Sequence, residues 1–169
     1  MHRIGIRTAT AAALLLLLSS AVRADSDYER RTLAGLRGVH VVAHQPDADQ
    51  ARAGLSPDEL RAEIEEPLRA AGIAILNEEE SRQAPGVPWL QLLVGITPVE
   101  KKNVYVWSMR LVLLQRACME RDPKICEPSV TWYATGFGTV GSFQRDSIRA
   151  DARALGQLFA TAYWSVNKK

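Results

Sequence analysis

A chain of 169 residues, 47% of them hydrophobic, with 21 Lys and Arg against 19 Asp and Glu, is long enough for one ordinary domain with its own core. Its formal charge of +2 falls short of the basic excess that a nucleic-acid binder shows, so no nucleic-acid partner is expected. Three of the bases, Arg3, Arg7 and Arg23, also belong to a leader; without them 18 bases face 19 acids and the balance is −1.

The first 24 residues read as a secretory signal. Arg3 and Arg7 form its basic start, Ala9 to Leu18 its apolar run, and Val22-Arg23-Ala24 its small-residue cleavage site. The run is about half the ~20 residues that span a bilayer, and no second apolar stretch follows. No Cys follows it to take a lipid. The expected product starts near Asp25, is periplasmic or secreted, and has no transmembrane segment.

Residues 25–35 are polar and read as a flexible N-terminal segment, with residues 36–169 as a single domain. Leu36 to His44 is β-branched and apolar, hence a strand. Ser56, Pro57 and Glu59 spell a capping box with proline at the first helical position, and Leu55 and Leu60 a hydrophobic staple. Leu60, Ile64, Leu68 and Ala71 keep helical spacing up to Gly72, with Pro67 expected to kink or loosen the last turn. Ile73 to Leu76 reads as a short strand and Asn77 to Gln83 as one acidic helical turn. After a Pro/Gly loop at Ala84–Pro88 come strands at Trp89–Thr97 and Val104–Ala117, joined by a turn at Pro98–Asn103. A third follows at Ser129–Thr135, then a long helix from about Gln144 to Val166.

Cys118 and Cys126 are the only cysteines, and in an oxidising compartment an even pair this close reads as one disulfide. C-x7-C fits neither zinc spacing nor a redox C-x-x-C. The order of elements predicts an α+β fold: a mostly antiparallel twisted sheet of four to five strands, with two helices packed on one face (β-α-β-β-β-α). Alternation puts Leu90, Leu92, Val94 and Ile96, Tyr105 to Leu113 in steps of two, and Val130, Trp132 and Ala134 beneath the helices. The other face would carry Gln91, Leu93, Val106, Ser108, Arg110, Val112, Thr131, Tyr133 and Thr135. That mixture of polar and apolar groups suits cover by a partner or a second copy.

Motifs for chemistry are few. Gly136-Phe-Gly138-Thr-Val-Gly141 matches G-x-G-x-x-G, but no parallel strand with a ribose-binding acid follows, so the glycines are expected to bend the chain between sheet and helix. His40 and His44 would lie ~13 Å apart on a strand, too far to share an ion. The run Glu78–Glu80 reads as solvated surface. No catalytic residue, cofactor or metal is implied. Arg145, Arg149 and Arg153 share one face of the last helix, where their repulsion needs acids opposite or an anionic partner. The acids that could answer them lie upstream, since residues 25–100 hold 14 acids and 7 bases, and residues 101–169 hold 5 acids and 11 bases.

At Thr32-Leu-Ala-Gly-Leu-Arg-Gly-Val, Leu68-Arg-Ala-Ala-Gly-Ile, Leu76-Asn-Glu-Glu-Glu and Ser147-Ile-Arg, the chain resembles a group of small exported bacterial proteins of unknown function. In its element order it also looks like the TolB N-terminal domain and LpoB-type lipoproteins, although it has neither a propeller nor a lipidation Cys. That resemblance implies a module that binds other envelope proteins and is not an enzyme. The expected function is a non-catalytic protein-binding or accessory module of the cell envelope. It would meet an envelope protein, or copies of itself, through the open sheet face at Gln91, Ser108, Arg110, Thr131 and Tyr133, or through the Arg145/Arg149/Arg153 stripe. The alternatives are a small hydrolase with a carboxylate site and a carrier of a small ligand.

Overall fold

The computed structural model describes residues 26–44, 56–99, 104–141 and 145–167. The signal, the Leu55 half of the staple and positions 100–103 of the first long turn lie outside the described residues. Within them the fold is α+β, with five strands and four helices. The elements are α1 (Asp27–Arg31), β1 (Gly38–Ala43), α2 (Pro57–Ala70), β2 (Ala74–Ile75), α3 (Glu78–Gln83), β3 (Trp89–Val99), β4 (Val104–Met119), β5 (Asp122–Gly141) and α4 (Arg145–Val166).

The sheet order is β2-β1-β3-β4-β5. β3, β4 and β5 form the antiparallel meander that the spacing predicts, and β1 runs parallel to both β2 and β3. A parallel pair needs a crossover, and α2 supplies it between β1 and β2. Helices α2 and α4 lie side by side on one face of this sheet. Gly156 permits their close approach: a Cβ there would stand 2.8 Å from Cγ of Pro67 and 2.9 Å from the Ile64 carbonyl oxygen. α2 runs through Pro67 to Ala70, and the proline is buried at this contact.

The core fills the space between the two layers. Leu60, Ile64 and Leu68 of α2 and Ile148, Ala152, Leu155 and Phe159 of α4 meet Leu90, Leu92, Trp107, Leu111, Leu113 and Trp132 of the sheet, all 4% exposed or less. Each large side chain so buried contributes roughly 1.5–3 kcal/mol. Phe159 meets the Trp132 ring edge-on at 5.1 Å between centroids. Ile148, Ala152, Leu155, Phe159 and Ala162 are buried in the order helical periodicity predicts.

Five expectations about the elements themselves need correction. Ser56 sits at the N-cap of α2 in extended backbone but makes no side-chain cap bond, whereas Asn77 and Glu80 form a full capping box on α3. The segment read as flexible contains α1, capped by Ser26 and Glu29, and buries Leu33 completely. Its backbone is held by Asn167, which accepts from the Gly35 amide at 2.7 Å and donates to the Leu33 carbonyl at 2.8 Å.

The remaining three concern β5, which is far longer than Ser129–Thr135. Cys118 and Cys126 are disulfide-bonded as expected, yet they sit opposite each other within the ladder and not in a loop between strands. The glycines 136, 138 and 141 stay paired with Met109, Trp107 and Val104, so they do not bend the chain. Gly138 lies directly beneath the Trp107 indole, where a Cβ would come within 2.8 Å of the ring. Finally, Leu113 pairs with Trp132 but Leu114 with Val130. This one-residue bulge at Thr131 reverses the alternation, so Val130 is 54% exposed instead of joining the core.

Candidate interaction face

With α2 and α4 both on one side, neither of the two long helices lies over the opposite side of the sheet. Alternate strand residues must point there. β3 sends out Gln91 and Leu93, β4 Val106, Ser108 and Arg110, and β5 Tyr133, Thr135 and Phe137, in register across the three strands. Leu93 and Tyr133 are 39% exposed, Val106 44% and Phe137 60%. These values show that the face is open at those four positions among the described residues. Val112, expected to be open as well, is only 4% exposed because it lies on the middle strand between Gln91 and Tyr133.

The predicted surface residues divide into two sets. Gln91, Ser108, Arg110 and Tyr133 share the helix-free face, with Gln91 Oε1 3.3 Å from Nε2 of His44. Thr131 does not offer its hydroxyl to a partner, because in the bulge its Oγ1 accepts from Gln115 Nε2 at 2.8 Å. Arg149 and Arg153 lie in the other layer, where both converge on Glu63 of α2. Arg149 Nε donates to Oε1 at 2.9 Å, and Arg153 donates to Oε2 through Nε at 2.9 Å and Nη2 at 2.7 Å. Arg153 also reaches Glu66 at 3.5 Å. The acids upstream therefore answer the stripe, as the charge asymmetry suggested. The Arg145 side chain lies outside what the structure describes.

The Glu63 side chain is only 7% exposed. Burial alone would push its carboxyl pKa up, but the hydrogen bonds and charges of Arg153 and Arg149 outweigh this and hold it below the ordinary carboxylate value. Asp151, on α4 with the two arginines, has its carboxyl pKa pushed up by burial. His40 turns Nδ1 to the Leu76 carbonyl at 3.0 Å and packs edge-on against Trp89. Among the described residues no three His, Cys, Asp or Glu come together in a way that could hold a metal ion. No described helix is long and apolar enough to cross a membrane.

Sequence reasoning missed several members of the face besides Val130. Phe137 continues the alternation of Tyr133 and Thr135, a signal hidden by reading the glycine motif as a bend. Trp89 and Arg116 border a cleft of about 360 Å³ that Val87, Leu114 and Pro128 also line. Nothing in a sequence pattern announces that cleft, since its walls come from β3, β4, β5 and the loop before β3.

The arrangement defines a two-layer α+β module with one side of its sheet bare. No protein-family model matches the chain, and no curated protein matches it. Among solved structures it is similar to a PelC dodecamer from Paraburkholderia phytofirmans, with 18% identity, a TM-score of 0.49, and 89% of this chain and 100% of that one covered. A second PelC dodecamer from the same organism, a variant, gives 21% identity, a TM-score of 0.46, and 84% and 97% coverage.

Proposed function

We propose that this chain is an exported, non-catalytic binding module of the bacterial cell envelope, working through the helix-free face of its sheet. The observation that carries this reading is the exposure of Leu93, Val106, Tyr133 and Phe137 side by side on strands that are otherwise firmly paired. The signal-like leader and the disulfide support an oxidising compartment. The resemblance to small exported proteins and envelope accessory modules points the same way. Glu63, held ionised between two arginines, is unsuited to donating a proton.

The test is a photoreactive residue at Tyr133 or Arg110 in the native envelope, with Asp58 on the helical layer as control. A discrete, stoichiometric adduct from the sheet positions alone is expected. Recovery of the protein alone and monomeric, with no adduct, would overturn the reading.

A further inference from the structure

Among the described residues of β3, β4 and β5 from Pro128 onward, this face carries cations without anions. β3 and β4 contain no Asp or Glu, and the two acids of β5, Asp122 and Glu127, fall beyond Pro128 at its far end. Arg110 and Arg116 both project from this face of β4. Unlike Arg149 and Arg153, they make no ion pair with any described residue. Each borders its own depression. Arg116 stands at the cleft of about 360 Å³ walled by Trp89, Leu114 and Pro128. Arg110 stands at a shallower one of about 470 Å³ walled by Leu93, Ser108 and Phe137. Six residues of extended strand separate the two, or ~20 Å.

We propose that this face takes an acidic amphipathic segment of a partner protein. A large apolar side chain of the partner fills the Trp89–Leu114–Pro128 cleft, beside a carboxylate paired with Arg116. A second carboxylate, ~20 Å along, meets Arg110. The assignment rests on the reading of this face as the working surface and adds the chemistry of what it binds. A second copy docked face to face would set arginines against arginines with no carboxylate between them. Two cations are too few to hold a protein on anionic lipid. A polyanionic sugar would leave the aliphatic Leu93, Val106 and Val130 without an apolar counterpart.

The test uses the processed chain and two synthetic amphipathic peptides with identical apolar positions, one bearing Glu and one Lys at the polar ones. Calorimetry at low salt should show the Glu peptide binding at least about tenfold more tightly. Arg110→Glu with Arg116→Glu should reverse that preference, with the thermal midpoint unchanged. Arg116→Glu alone should lose more than Arg110→Glu alone. If both peptides bind equally and Phe137→Ser abolishes both, the face stands as a binding surface and its charge assignment falls. If neither binds, and Tyr133 crosslinks only to other copies or to nothing, the assignment falls together with the reading beneath it. Tighter binding of dextran sulfate or of phosphatidylglycerol vesicles than of the Glu peptide would overturn the choice of a protein partner.

Discussion

Arg153 donates two hydrogen bonds, at 2.9 and 2.7 Å, to one carboxylate oxygen of Glu63, a residue 90 positions upstream on the neighbouring helix. With Arg149 on the other oxygen, this pairing ties α2 to α4 and takes up the polar stripe of the last helix. Glu63→Gln should therefore destabilise the protein by about 1–2 kcal/mol at neutral pH, as loss of charged hydrogen bonds at a partly exposed site does. Because the folded-state carboxyl titrates below its unfolded value, the stabilisation is complete above the ordinary carboxylate range and fades as pH falls through the lower, folded value. Thermal midpoints of wild type and variant should converge in acid, and a constant difference across pH would refute this.

Asp151 carries the opposite sign. Burial raises its folded-state pKa, so ionisation weakens the fold as pH climbs through the unfolded value towards the folded one. Asp151→Asn should raise the midpoint at neutral pH and leave it unchanged in strong acid. A loss of stability at pH 7 would show that the ionised carboxylate is needed.

Two glycines of β5 should respond differently to the same change. Gly138→Ala places its methyl 2.8 Å from the Trp107 ring and should cost about 1–3 kcal/mol through forced displacement of the indole. At Gly136 the nearest ring atom is 3.5 Å away, an ordinary contact, so alanine there should be tolerated. Denaturant midpoints that match for the two variants would contradict the geometry.

The disulfide spans only the outer part of the β4–β5 hairpin, past the helices. Chain-entropy arithmetic for a loop of about 9 residues gives about 2.5 kcal/mol, an upper figure where local fraying can relieve the constraint. Replacing both Cys118 and Cys126 by Ser should speed amide exchange between positions 118 and 126 and leave Leu90, Leu111 and Trp132 protected. Loss of protection throughout the sheet would mean that the whole fold depends on the crosslink.

Much of the fold is legible because β3 and β4 alternate cleanly and α4 keeps one apolar face for five turns. Leu90, Leu92, Trp107, Met109, Leu111 and Leu113 are buried as that alternation predicts. What sequence reading misses is set by pairing across distance. The bulge at Thr131 has no local mark in Ser129–Trp132, so simple alternation places Val130 on the wrong side. The arginine stripe is visible at helical spacing, but its partner Glu63 is one of several similar glutamates, distinguished only by facing α4. Of the face itself, Gln91, Ser108, Arg110 and Tyr133 follow from alternation. Phe137 is concealed by a glycine pattern that more often belongs to a different fold, and Trp89 and Arg116 gain their setting only when three strands and a loop converge.

The bulge has a further meaning for how the molecule avoids uncontrolled assembly. β5 is an outermost strand of 20 residues, long enough to invite a neighbouring chain to zip along it. At Thr131 the ladder is interrupted, and the carbonyl that turns outward accepts from the Thr32 hydroxyl at 3.1 Å, while Gln115 donates to the Thr32 carbonyl at 3.0 Å. The amino-terminal segment is thereby moored halfway along the border, dividing one long sticky margin into two short ones.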